Sequence, residues 1–223
     1  MSFRYGSGIN EPGFYPLASG TDQYKGVWNL SSQANAVALG TWTEVFRLYS
    51  WGNNNVGQLG LGNVTYYSSP KQIGALTSWY SIVAGNAITL ATKTDGSLWS
   101  WGYNVYGQLG LGNTTSYSSP KQVGALTTWS KIISGQGHSI AIKTDGTLWI
   151  WGRNNFGQLG LGNVTSYSSP KQVGALTTWQ SISSSAYGSY AIKTDGKLWV
   201  WGYGGSGQLG LGNITYYSSP KQV

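Results

Sequence analysis

The chain has no cysteine, a single histidine and few charges: 9% of its 223 residues. Without cysteine there are no disulfide staples, no thiolate metal sites and no cysteine nucleophile. Six acidic side chains and one histidine leave little for acid–base chemistry. No run approaches the ~18 apolar residues of a spanning helix, which argues against membrane insertion. The opening residues MSFRYGSGINEPGFYPL lack the apolar core of a secretory signal.

Glycine, tryptophan and tyrosine are abundant instead, at 34, 12 and 16 residues. With 40% hydrophobic and 14% aromatic content the chain can bury a core. The net charge of +7 favours an anionic partner or surface.

An internal repeat organises the sequence. Cutting at each Trp-Gly pair gives three units of 50 residues, 51–100, 101–150 and 151–200, and a partial fourth, 201–223. Residues 24–50 look like the missing remainder of that fourth unit. The arrangement predicts an all-β, four-bladed β-propeller over 24–223, closed by pairing of the N-terminal segment 24–50 with the C-terminal strands of 201–223. Sharing one unit between the termini would seal such a ring by strand-to-strand hydrogen bonds. A larger ring shared by two chains is the alternative.

Within each unit an Asp-Gly pair (95–96, 145–146, 195–196) marks a hairpin between β-prone runs. Read as a two-residue turn, it sets Ile142 opposite Trp149 and Ile140 opposite Trp151. The SSPKQ stretch reads as an outer edge, where proline is tolerated. Residues 1–23, rich in glycine and proline with Phe3, Arg4, Tyr5, Phe14 and Tyr15, read as a docking arm outside the repeat.

The stretch WGYNVYGQLGLGN (101–113), followed by PKQV, SGQGHSIAI and TDGTLWIWG, resembles the regulator of chromosome condensation repeat. The GQLGLG core recurs at 57–62, 107–112, 157–162 and 207–212. The resemblance implies a propeller and leaves function open, because the fold hosts exchange factors, inhibitors, adhesins and structural modules. The family's usual histidine survives only as His138, with Ile88 and Gly188 at the matching positions. The acidic face and wedge implied for a guanine-nucleotide exchange factor have no counterpart residues here.

GQLGLG lacks the following helix that a phosphate-binding loop needs, so its glycines read as turn residues. The four Asn-x-Thr triplets (63, 113, 163, 213) read as turn chemistry, and neither a metal, a cofactor nor a catalytic pair is expected. Lys71, Lys121, Lys171 and Lys221 recur with the period and form a candidate cationic band, or protect an edge strand. Three arginines in all, at 4, 47 and 153, argue against nucleic-acid binding.

The differences between copies carry the most information. Units 101–150 and 151–200 differ at 14 positions, eight of them within 130–140 and three at 103, 105 and 106. Candidate ligand or partner contacts are therefore Asn86, Ile88, Gln136, His138 and Tyr187 in one patch. Tyr103, Tyr106, Arg153, Phe156 and Tyr203 make the second.

Together these features predict a non-catalytic structural or interaction protein whose partners are other protein subunits, or a glycan or anionic surface. An arm ahead of a rigid repeat body resembles bacteriophage virion appendages, which implies a virion location; otherwise the chain reads as cytoplasmic. The alternatives are a lectin-like or peptide-binding module and a regulator of a GTPase or of chromatin.

Overall fold

The computed structural model describes residues 47–75 and 78–223, within a compact unit running from Phe46 to Val223. Those residues are all β. The docking-arm residues and 24–46 lie outside them.

The first blade is described through two antiparallel strands, β1 (Tyr49–Gly52) and β2 (Tyr67–Gln72). Three four-stranded antiparallel blades follow. The second blade holds β3 (Trp79–Ala84), β4 (Ile88–Lys93), β5 (Leu98–Gly102) and β6 (Tyr117–Gln122). The third holds β7 (Trp129–Ser134), β8 (His138–Lys143), β9 (Leu148–Gly152) and β10 (Tyr167–Gln172). The fourth holds β11 (Trp179–Ser184), β12 (Gly188–Lys193), β13 (Leu198–Gly202) and β14 (Tyr217–Gln222). Each blade is a meander, so the family of sheets is the propeller that the repeat predicts.

The Trp-Gly cut falls inside the third strand of a blade, so the sheets are phased half a repeat away from the sequence units. Residues 201–223 complete a sheet that begins at Trp179, and Tyr49–Gly52 pairs with Tyr67–Gln72. Among the described residues, then, strands pair within each blade rather than between the two terminal segments.

The hairpin register also differs from the expectation, by one residue. Ile142 faces Leu148, Ala141 faces Trp149 and Ile140 faces Ile150. The turn has a loop of three residues rather than two. Gly146 N–H donates to Lys143 O, and Asp145 Oδ1 accepts the Thr147 N–H and, at 2.6 Å, its hydroxyl. Gly146, at φ 77°, supplies the left-handed residue that ends it.

A one-residue slip moves every side chain to the other face, and here it sorts them by kind. One face of the third blade is aliphatic, with Ile140, Ile142, Leu148 and Ile150; the other carries Ala141, Trp149 and Trp151. The aliphatic face packs on Trp179, Ala191 and Trp201 of the fourth blade. Ile88, Leu90 and Leu98 of the second blade pack in the same way on Trp129, Ala141 and Trp151 of the third. Each of these joints thus sets an aliphatic face against a tryptophan face.

The glycines of GQLG bring the blades together. A Cβ on Gly110 would come within 2.7 Å of Trp151 Nε1, so only glycine lets the indole lie there. Gln108 O accepts both Trp151 Nε1–H at 2.9 Å and the Ser139 hydroxyl at 2.8 Å.

His138 bridges the last joint. Ser189 Oγ donates its proton to Gln158 O at 2.7 Å, so it accepts from His138 Nε2–H at 3.0 Å. His138 is neutral with its proton on Nε2, and its buried Nδ1 has no partner. Complete burial pushes its pKa down to about 4.

Two outcomes follow from this packing. Gly110→Ala will destabilise the protein by at least ~2 kcal/mol more than Gly124→Ala in chemical denaturation. Both glycines have positive φ, but a Cβ on Gly124 meets nothing within 4 Å. Below pH 6.5 an unfolded His138 takes a proton that the folded one refuses until about pH 4. Stability from this group is therefore complete above pH 6.5 and falls as pH drops through that window, by on the order of 3 kcal/mol. His138→Ile, which installs the residue at the matching position 88, will flatten the dependence when melts are compared between pH 6.5 and 4.

Candidate functional site

The meander gives each blade two chemically different ends. One end carries the Asp-Gly turns and the links between blades. The other carries the short loops 85–87, 135–137 and 185–187 together with the long loops after each Trp-Gly pair. All three described acidic residues, Asp95, Asp145 and Asp195, sit at the turn end. The loop end has Arg153 and no acid among the described residues.

The long loops are rigid by construction. Buried Asn104 donates through Nδ2 to Asn113 O at 3.0 Å and Thr115 O at 2.8 Å, while its Oδ1 accepts Leu109 N–H at 2.9 Å. Asn54 and Asn154 repeat the pattern. Asn63, Asn113, Asn163 and Asn213 each accept the N–H of the Thr two residues on, the turn chemistry expected of them. In the fourth blade Gly204 replaces the buried Asn.

On this frame the two patches of variable residues meet. Asn86, Tyr103, Tyr106, Gln136 and Arg153 line one depression of ≈ 280 Å3 together with Asn55, Val56 and Ala87. The Arg153 guanidinium lies over the Tyr106 ring at 4.8 Å and the Tyr187 ring at 5.4 Å. Beyond it Phe156 packs edge-on against Tyr187 at 5.2 Å, Tyr203 at 5.1 Å and Tyr216 at 5.6 Å. Tyr103 completes the near end, 6.5 Å from Tyr106. The result is one continuous strip of aromatic rings around a single cation, crossing from the second blade to the fourth.

Two candidate contacts are corrected by burial. Ile88 lies in the core beneath the third blade, and His138 is fully enclosed by its bond to Ser189. Both stand at the first position of an inner-blade strand, where the neighbouring blade covers them. Tyr216 joins the strip without having been singled out in the sequence. Its signal was the alternation at that position, tyrosine at 66 and 216 but serine at 116 and 166.

Lys71, Lys121, Lys171 and Lys221 are exposed on the outermost strands, each 5.3–5.5 Å from a tyrosine ring of its own strand. None of them lines the depression. Lys93 and Lys143 lie between tryptophan rings, and their burial lowers the ammonium pKa against the opposing pull of Asp95 and Asp145. A second depression, ≈ 330 Å3, is walled by Gly110, Val123, Trp129, Trp149 and Pro170. Across the three complete units, apart from Val123, which is Ile73 in the first, these framework residues recur unchanged at the matching positions. That depression therefore carries little to distinguish one blade from another.

The regulator of chromosome condensation (RCC1) repeat profile matches residues 47–92, 95–142, 145–192 and 195–223. A second profile of the same repeat matches 79–108, 129–158 and 179–208. Among solved structures, human WBSCR16 aligns with 81% of this chain and 49% of its own at TM-score 0.72 and 24% identity. Prp20p from Saccharomyces cerevisiae aligns with 79% and 46% at TM-score 0.69 and 23% identity. Yeast RCC1 (Prp20) bound to Kap60 aligns with 80% and 44% at TM-score 0.70 and 23% identity. The chain thus spans about half the length of these solved chains, and at such identities the likeness is one of fold. No curated protein matches it. With its repeats covered in register from Arg47 to Val223, the chain belongs to the regulator of chromosome condensation (RCC1) repeat family.

Proposed function

We propose that the protein is a non-catalytic interaction module that recognises another protein through the strip from Tyr103 to Tyr216. One observation carries the reading: residues that vary between otherwise near-identical repeats converge, from two separate stretches of sequence, on one aromatic surface. Tyrosine, phenylalanine and arginine supply large rigid contact area at low entropic cost, the composition of binding hot spots. The absence of acid at this end, among the described residues, favours a neutral or acidic segment as the bound element. Prp20p binds Gsp1p and histones, and yeast RCC1 is solved with Kap60, so propellers of this repeat do serve as protein-binding bodies.

The finer reading is a virion appendage docked by the arm that contains Phe3, Arg4, Tyr5, Phe14 and Tyr15. Its support is the composition of residues 1–23 alone. Regulation of a GTPase by an acidic face finds less support, because the described acids sit in hairpin turns at the opposite end.

Selection of peptides from a displayed random library tests the interaction surface. Wild-type protein should enrich a peptide family whose affinity falls about tenfold or more on Phe156→Ser or Tyr203→Ser. Lys171→Ala should leave it unchanged. No enrichment, or peptides indifferent to both aromatic substitutions, overturns the reading; enrichment of glycans instead, on an array, would make the strip a lectin site. Deleting residues 1–23 should abolish incorporation into a particle while sparing peptide binding, and normal incorporation would remove the arm from the account.

A further inference from the structure

The three described joints between blades are the same joint repeated. Gly57, Gly107 and Gly157 lie against Ser118, Ser168 and Ser218 of the next blade, and Gly60, Gly110 and Gly160 against Trp101, Trp151 and Trp201. Gln58 O, Gln108 O and Gln158 O each accept the indole N–H of that tryptophan at 2.8–2.9 Å. The N–H groups of Gly62, Gly112 and Gly162 donate to Ser118 O, Ser168 O and Ser218 O at 2.7–2.8 Å.

The period fixes what a fourth joint must contain. Gly207 would meet Ser68, Gly210 would meet Trp51, and Gln208 O would accept Trp51 Nε1–H. Both halves are present, and among the described residues neither engages the other. A Cβ placed on Gly207, Gly210 or Gly212 would meet nothing within 4 Å. Trp51 is 59% exposed, while Trp101, Trp151 and Trp201 are wholly buried. On the other side Ile192 and Leu198 are each 38% exposed, against 3% and 0% for their counterparts Ile142 and Leu148. Gln208 O accepts a long 3.4 Å bond from Tyr190 of its own blade.

We propose that a second copy of the chain fills both faces, giving a head-to-tail dimer in which two arcs complete one ring. The aliphatic face of the fourth blade of each copy seats on the Trp51 face of the other. Two features select this occupant. The chain aligns with 49% of the WBSCR16 chain, so two copies together match the length of one such chain. A second copy carries both complementary faces in the right order, and a twofold axis satisfies both at once; any single-faced partner would leave one bare. The dimer also sets the loops around Asn55 and Val56 of one copy beside Tyr203 and Tyr216 of the other, so the aromatic surface continues across each new joint.

Mass in solution, by sedimentation equilibrium on the 223-residue chain, tests the proposal. Wild type should weigh two chains. Trp51→Glu and Leu198→Glu, one on each face, should each weigh one chain with unchanged circular dichroism. An equimolar mixture of the two variants should regain dimers, because the intact tail of the first fits the intact head of the second. Those dimers keep one sound joint and should dissociate at least tenfold more readily than wild type. Should Trp51→Glu fail to fold, Ser68→Arg on the exposed outer strand blocks the same face. A wild type of one chain mass overturns the proposal, including the case in which Trp51→Glu lowers its stability because the chain covers that face itself. Larger assemblies, or a mixture that stays monomeric, overturn it equally.

Discussion

A backbone carbonyl shared across a joint sets the architecture. Gln58 O, Gln108 O and Gln158 O each receive an indole N–H and a hydroxyl from the following blade. A buried carbonyl has two lone pairs, and leaving them empty costs free energy comparable to a lost hydrogen bond. Here both are used, in a place where water is excluded. The glycine two residues on removes the Cβ that would hold the indole away, so hydrogen bonding and close packing depend on the same short loop. Tryptophan then buries its whole ring against the aliphatic face of the blade before it.

This joint explains why so few charges suffice. Stability comes from apolar surface laid between sheets and from side-chain amides that brace the loops, as Asn104 does. The lysines that do enter the sheets, Lys93, Lys143 and Lys193, lie 3.7–3.8 Å above tryptophan rings. It is the ammonium heads themselves that sit on the aromatic faces, each also within 4.9–5.2 Å of a second tryptophan ring, a cation–π arrangement. One exchange shows how local the bracing is. Trp99 and Trp149 donate to the hydroxyls of Ser97 and Thr147, but Lys197 stands at the third such position and Trp199 Nε1 has no partner.

Much of the fold was legible from the 50-residue period, because a repeated Trp-Gly, GQLGLG and Asp-Gly pattern admits few arrangements other than blades. The phase was not legible: Trp-Gly lies within a strand, and a sequence cut there divides every sheet. Nor was the hairpin register, since Asp-Gly suits both a two-residue turn and a three-residue loop. The choice was made by the Asp145 carboxylate, which grips Thr147 and not a cross-strand partner. At the candidate site, variation between copies pointed to Tyr103, Tyr106, Arg153, Phe156, Tyr187 and Tyr203, which do come together. It also pointed to Ile88 and His138. Those positions vary for a different reason, as alternative ways of filling the space beneath the next blade, and sequence alone does not separate tolerance inside from freedom outside.

The same loop has a kinetic side. Trp101, Trp151 and Trp201 each bond a carbonyl 43 residues earlier in the chain. No described joint between blades requires a segment that has yet to be synthesised beyond its own unit and the one before. A nascent chain leaving the ribosome can therefore lock each blade onto a finished predecessor, in order from the N-terminal side, and the loop-closure entropy it meets is the same at every step.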